Sequence, residues 1–221
     1  VFAAPLLSPE EPLMKPHRLA TALAAVGAAF VIPAGAAGAA AAVGQPAPAF
    51  TAVDTAGRTV SLADFKGRHV VLEWVNPGCP YVRRHYDSAS MQATQKDATA
   101  KGVVWLAVNS TAEDAGDYLK PAALAQWMQA QQAAATATLM DADGRVGRAY
   151  GARTTPHMYV IDPTGTLIYA GAIDDRPRAS LAETPQASNH VRAALAESLA
   201  GKAVSTPSTQ PYGCSVKYSS M

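Results

Sequence analysis

The sequence predicts an α/β domain with a central mixed β-sheet flanked by helices, and two observations carry that prediction. One is a pair of continuous apolar runs, Val70-Val71-Leu72 and Val103-Val104-Trp105-Leu106-Ala107-Val108. Such runs belong to strands covered on both faces. The other is the helix-compatible stretch between them, Pro80 to Lys101, closed by Gly102. Strand, helix and strand make a βαβ unit, with a parallel pair and a right-handed crossover. Cys79 falls where the first strand hands over to the helix, and Pro80 suits the first helical position, where a missing N–H costs nothing. A helix N-terminus offers unpaired N–H groups and the positive end of a dipole. That environment lowers a thiol pKa, whereas a buried, inert cysteine is the plainer alternative.

The domain does not need all 221 residues. Residues 1–13 carry no pattern and read as an upstream extension before a natural start at Met14. Met14-Lys15-Pro16-His17-Arg18 is basic, Leu19 to Ile32 is apolar, and small residues follow. This is the order of a secretory signal peptide, so residues 14–42 are assigned to one, with cleavage between Ala36 and Val43. The alternative, an uncleaved anchor, has too short and too Ala-rich an apolar part. An exported, periplasmic protein with no stable membrane insertion is expected. The remaining ~180 residues suffice for one good core. They divide into a domain at 43–201 and an extended Ser/Thr/Pro-rich tail at 202–221. The net charge is +1, with no basic run after the signal, which excludes nucleic acid as the expected partner. The two cysteines are Cys79 and Cys214. An even count in an exported chain suggests a disulfide, either redox-active or structural.

In chain order, Phe50 to Val53 and Thr59 to Leu62 form an N-terminal hairpin around the turn Asp54-Thr55-Ala56-Gly57. Ser61 caps a short helical turn that ends at Lys66-Gly67. After the βαβ unit, Asn109 to Gly116 is a polar loop at the carboxyl end of a strand, where open α/β sheets place sites. A helix is expected over 122–132, an extended piece over 137–140 and a short helix over 145–150. His157–Asp162 and Leu167–Ala172 make a second hairpin. Asn189 to Ala200 is an amphipathic helix with Val191, Leu195 and Leu199 on one face.

The motifs carry a resemblance. Gly44-x-x-Ala47-Pro48-x-Phe50, Asp54-x-x-Gly57 and Gly67-x-x-Val70-Val71-Leu72 resemble the start of the redoxin group of the thioredoxin fold, which includes the AhpC/TSA and TlpA-like proteins. Thr155-Pro156 before a strand is similar to that group's cis-proline loop. Cys79-Pro80-Tyr81-Val82 and the closing Pro211-x-Gly213-Cys214-Ser215-Val216-Lys217 resemble the narrower peroxiredoxin-like set. The resemblance implies a thioredoxin-like fold with a hairpin extension and a thiol oxidoreductase activity without a cofactor. It places Cys79 on the nucleophilic cysteine. Val82 stands where TlpA-like reductases have their second cysteine. Leu72 and Asn76 stand where typical peroxiredoxins have Pro and Thr, and Pro156 lies near the place of their arginine.

Thiol–disulfide exchange needs a thiolate and a second thiol to resolve the mixed disulfide. Cys214, 135 residues beyond Cys79, is the one intramolecular candidate, on a tail flexible enough to fold back. Closing so long a loop is worth up to ~5 kcal/mol by chain entropy. A cis Pro156 would leave Cys79 unblocked and expose the Thr155 backbone to an extended partner. Arg83, one turn on, either stabilises the thiolate or is a solvated arginine. Asn76 either bonds the sulfur or shapes the loop. Glu73 is either a buried proton-transfer carboxylate or an edge residue. Trp74 and Tyr81 either wall the site or pack in the core. His85 and His157, with the cysteines, are weak evidence for a metal site. The expected partners are protein disulfides or thiols, or a peroxide, with an external thiol reductant. A non-catalytic binding or metal-carrier module is the remaining alternative.

Overall fold

The structure, a computed structural model, describes residues 1–3 and 40–220. Apart from residues 1–3 and 40–42, the expected upstream extension and signal segment lie outside the described residues. A seven-stranded mixed sheet has the order β2-β1-β5-β4-β3-β7-β8. Its strands are β1 (Thr51–Asp54), β2 (Thr59–Ser61), β3 (Val70–Trp74), β4 (Val104–Asn109), β5 (Ala137–Met140), β7 (Met158–Ile161) and β8 (Leu167–Gly171). As the βαβ reading requires, β3 and β4 are parallel, with Val70 opposite Val104 and Trp74 opposite Val108. Strand β7 is antiparallel to β3 on its other side. The N-terminal hairpin joins through β1, which is antiparallel to β5. A separate two-stranded ribbon pairs β6 (Thr154–Thr155) with β9 (Cys214–Ser215).

Alternation along β3 builds two core layers. Val71 packs with Tyr86, Met91, Val191 and Leu195 under the helices. Val70, Leu72 and Trp74 pack on the opposite face with Phe50, Tyr150 and Tyr159. Both faces of the strand are thus covered, which explains its unbroken apolar run.

The expected helix over Pro80–Lys101 is instead two helices, α1 (Pro80–Asp87) and α2 (Ser90–Ala100). Ala89 breaks the run with a left-handed φ of 58°. Glu73 gives the break a consequence. Its carboxylate is 0 % exposed and accepts from Tyr86 Oη (2.9 Å), Gln95 Nε2 (3.0 Å) and Trp105 Nε1 (2.7 Å). In one continuous helix, Tyr86 and Gln95 would point about 180° apart. The break turns both toward Glu73. Helices α3 (Pro121–Ala130), α4 (Arg145–Tyr150) and α5 (His190–Leu199) follow. On α5, Val191 and Leu195 are buried as expected, but Leu199, the last helical residue, is exposed.

Burial raises the Glu73 carboxyl to about 6, against the pull of its three hydrogen bonds. A carboxyl that holds its proton more tightly folded than unfolded costs stability as pH rises from its unfolded value through its folded one. We expect Glu73→Gln to gain on the wild type by roughly 2 kcal/mol between about pH 4 and about pH 7. Urea unfolding at each pH measures this, and contributions from the histidines cancel in the difference. A pH-independent difference would contradict an ionising buried carboxylate.

Candidate active site at the start of the first helix

Cys79 is the N-cap of α1, with Pro80 at the first helical position. The preceding turn is set by Asn76, whose Oδ1 accepts from Gly78 N at 2.7 Å and whose backbone oxygen accepts from Cys79 N at 2.9 Å. The Cys79 residue is only 1 % exposed. In its protonated form the thiol donates to the Thr155 backbone oxygen at 3.0 Å. The Thr155–Pro156 peptide is cis.

Cys214 reaches this point from the tail. It pairs across the ribbon with Thr155, and Ser215 pairs with Thr154. Gly213 makes the approach possible. Its φ is 138°, and a Cβ there would be driven into the Thr155 carbonyl. The pairing puts both sulfurs over the first turn of α1. Burial pushes the Cys79 thiol up, but hydrogen bonds to the thiolate from Cys214, the Thr155 hydroxyl and the backbone N–H groups of Val82 and Cys214 hold it below the usual range. Cys214 goes the other way, pushed up to about 12 by burial and then by its bond and charge interaction with Cys79. One sulfur is therefore set up as thiolate and its neighbour as proton-bearing thiol, with no disulfide between them.

The extended tail folds back over the site, as the sequence allowed, and it is docked along its length. Thr209 Oγ1 accepts from Ala172 N at 2.9 Å and lies 2.6 Å from Tyr169 Oη. Val216 N donates to Arg153 O at 3.0 Å, and Ala112 N donates to Lys217 O at 2.8 Å. Lys217 Nζ and Asn76 Nδ2 both donate to Asp117 Oδ2, at 2.6 and 2.9 Å. Burial pushes the Asp117 carboxyl up, and these two bonds, with the Lys217 charge and a backbone N–H, more than offset it. Asp117 thus ties the loop before Cys79 to the chain after Cys214. Before Cys214, the Tyr212 hydroxyl donates to Asp174 Oδ1 at 2.5 Å and lies 3.0 Å from His85 Nε2 and 3.2 Å from Arg84 Nη2.

The remaining predicted residues distribute as follows. Asn76 shapes the turn and holds Asp117, and it does not bond the sulfur. Arg83 is exposed, and the thiolate's hydrogen bonds come from other groups. Its neighbour Arg84, about 100° further round the helix, is the arginine that turns toward the tail. Adjacent positions in sequence gave no way to choose between the two. Trp74 does not wall the site. Its ring packs in the opposite layer, 5.1 Å from the Tyr159 ring, and Nε1 donates to Ser110 Oγ at 3.0 Å. That follows from strand alternation, which sends Trp74 away from the helix side. Tyr81 does flank the site, its ring 5.8 Å from that of Tyr212. Glu73 lies in the core, and its described bonds come from Tyr86, Gln95 and Trp105, none from Cys79. His157 is buried behind Pro156, with Nδ1 3.1 Å from Tyr159 Oη. Burial, then the Arg153 charge, lowers His157 to about 4. No grouping of three or more His, Cys, Asp or Glu with metal-holding geometry occurs among the described residues.

A cysteine at a strand-to-helix junction, facing a cis-proline loop on a mixed sheet, defines a redoxin of the thioredoxin fold. The comparisons narrow the class. The family model described as AhpC/TSA matches residues 43–170, and the chain belongs to that family. A hypothetical protein from Sinorhizobium meliloti superposes with a TM-score of 0.72 at 25 % identity, covering 83 % of this chain and 98 % of its own. An uncharacterized conserved protein from Geobacillus kaustophilus gives a TM-score of 0.69 at 28 % identity, covering 81 % and 94 %. No curated protein matches the chain.

The asymmetry between the thiols is testable. Cys214→Ala removes a hydrogen-bond donor from the Cys79 thiolate, so the Cys79 pKa is expected to rise. Titrating the ultraviolet absorbance of the thiolate in the reduced protein reads the shift. An unchanged midpoint would show that Cys214 does not stabilise the thiolate.

Proposed function

We propose that the chain is a thiol–disulfide oxidoreductase in which Cys79 attacks and Cys214 resolves. The observation that carries this reading is the placement of Cys214 opposite Thr155, with its thiol within hydrogen-bond reach of the Cys79 sulfur. In the reducing direction, the Cys79 thiolate attacks one sulfur of a substrate disulfide. A mixed disulfide forms and the other substrate thiolate leaves. Cys214 then gives up its proton, attacks the Cys79 sulfur and expels the second substrate thiolate. Two electrons have passed to the substrate, and Cys79 and Cys214 are joined. An external dithiol restores them by the reverse exchange. The helix N-terminus favours the thiolate that leaves at each turn of the cycle.

Family membership alone leaves room for a peroxidase, in which Cys79 would become a sulfenic acid and Cys214 would condense with it, releasing water. The site geometry favours disulfides. Asn76, in the place of the peroxidase threonine, is committed to Gly78 and Asp117, and Arg153 is exposed. Export to the periplasm rests on the signal-like order of residues 14–42. No helix among the described residues is long and apolar enough to cross a membrane.

Insulin reduction and hydroperoxide consumption, each driven by dithiothreitol, separate the readings. The wild type is expected to turn over insulin faster than peroxide, and Cys79→Ser to lose at least ~100-fold in insulin reduction. Cys214→Ser is expected to accumulate a mixed disulfide on Cys79. Faster peroxide turnover would favour the peroxidase. If Cys79→Ser changed neither activity, only a binding or metal-carrier role would remain.

A further inference from the structure

Cys79 is 1 % exposed, and the tail packs Cys214 against it. The tail takes the Thr154–Thr155 edge that an extended substrate would pair with. A protein disulfide therefore reaches Cys79 only when the tail leaves, and Cys214 resolves only when the tail returns. What holds the tail then decides what the protein accepts.

The most specific hold is on Tyr212, two residues before Cys214. Its hydroxyl donates to Asp174 and lies within hydrogen-bond reach of His85 Nε2 and Arg84 Nη2. One donor and two lone pairs are the full capacity of a phenol, so His85 presents an Nε2 proton to it. Burial, then the Arg84 charge, lowers the imidazole to about 3 and keeps it neutral, with Nδ1 4.0 Å from Asp174 Oδ2. The socket is built for this group. His85 is 0 % and Asp174 3 % exposed. His85 Nδ1 and Arg84 Nε have no hydrogen-bond partner. Arg84 is otherwise pinned by the carbonyls of Pro177 (2.8 Å) and Ala179 (3.0 Å), with its guanidinium 5.7 Å from the Tyr212 ring centre. Without the hydroxyl, a buried carboxyl, an imidazole and a guanidinium lose their shared partner. Asp174 keeps the Arg176 N–H at 3.0 Å and Arg84 keeps its carbonyls, so the imidazole is the group left unpaired. A buried site with such a loss discriminates against a ligand lacking the hydroxyl.

We propose that Arg84, His85 and Asp174 form a tyrosine-recognition subsite that holds the Cys214 tail over Cys79 as an intramolecular competitor and selects protein substrates with a tyrosine two residues before the reacting cysteine. The substrate half rests on the thiol–disulfide reading, whereas the competitor half does not. Gly213 extends the preference: only a glycine before the cysteine passes the Thr155 carbonyl without a clash.

The test uses the full chain with Cys214→Ser, so that Cys79 is the one thiol. Adding Tyr212→Phe keeps the ring and removes the hydroxyl. Iodoacetamide is expected to alkylate Cys79 about tenfold faster in this variant, with circular dichroism and melting reporting an intact fold. Gly213→Ala releases the same segment from its other side and is expected to accelerate alkylation likewise. Unchanged alkylation in both variants would overturn the competitor role. With the tail released by Tyr212→Ala, Cys79 is then offered the peptide Gln-Pro-Tyr-Gly-Cys-Ser-Val-Lys, its cysteine activated by thionitrobenzoate. It is expected to react about tenfold faster than the same peptide with Phe for Tyr, and Asp174→Asn is expected to erase the difference. Equal rates for the two peptides would overturn the subsite. If alkylation accelerated but neither peptide exchanged, the thiol–disulfide reading would fail and take the substrate half with it.

Discussion

The antiparallel pairing of Cys214 with Thr155 is the contact on which the site depends. It fills the edge of the cis-proline loop, covers Cys79 and brings a second thiol to a helix that carries only one. In the C-x-x-C arrangement both sulfurs come from the same helical turn. Here Val82 occupies the second of those positions and is buried in the core. The second sulfur is delivered by a strand instead, from the far end of the chain. Chain connectivity no longer fixes its position, so tertiary contacts must do so. Asp117 and Tyr212, on either side of Cys214, supply them.

Placing two thiols over one helix N-terminus separates their roles, with the Lys217 charge acting on Cys214 as a minor influence. The N–H of Val82 faces Cys79 and that of Tyr81 faces Cys214. Once one thiolate forms, the second is opposed by the charge of the first. The hydroxyl of Thr155 and the thiol of Cys214 both support the charge on Cys79, which decides the order of ionisation. Arginine, a common helper of reactive thiolates, is here spent on the tail through Arg84.

Most of the fold was legible in the sequence because it rests on local patterns. The apolar runs gave β3 and β4, the Ser61 cap and the glycine turns bounded the hairpins, and Pro80 marked the start of α1. The break at Ala89 was not legible, because it serves Glu73, a contact between distant segments. Glu73 itself could not be assigned between core and edge until Tyr86, Gln95 and Trp105 were placed around it. The place of Cys79 at the start of α1 was readable from its junction. Its surroundings were not: Arg83 and Arg84 differ only in helix face, Asn76 bonds wherever its turn sends it, and the tail's Ser/Thr/Pro composition resembles that of a free linker. The residues that dock it, Tyr212, Gly213 and Lys217, meet partners that are ~40 to ~130 residues away in sequence, beyond the reach of any local rule.

Everything proposed for the site turns on Cys214 being the intramolecular partner of Cys79. The most direct measurement is a non-reducing peptide map of the reduced protein after one equivalent of a mild oxidant, with free thiols alkylated first. The account predicts a single cross-linked peptide pair containing Cys79 and Cys214, from monomeric protein. Cys214 recovered fully alkylated, with Cys79 over-oxidised or joined to a second chain, would contradict it.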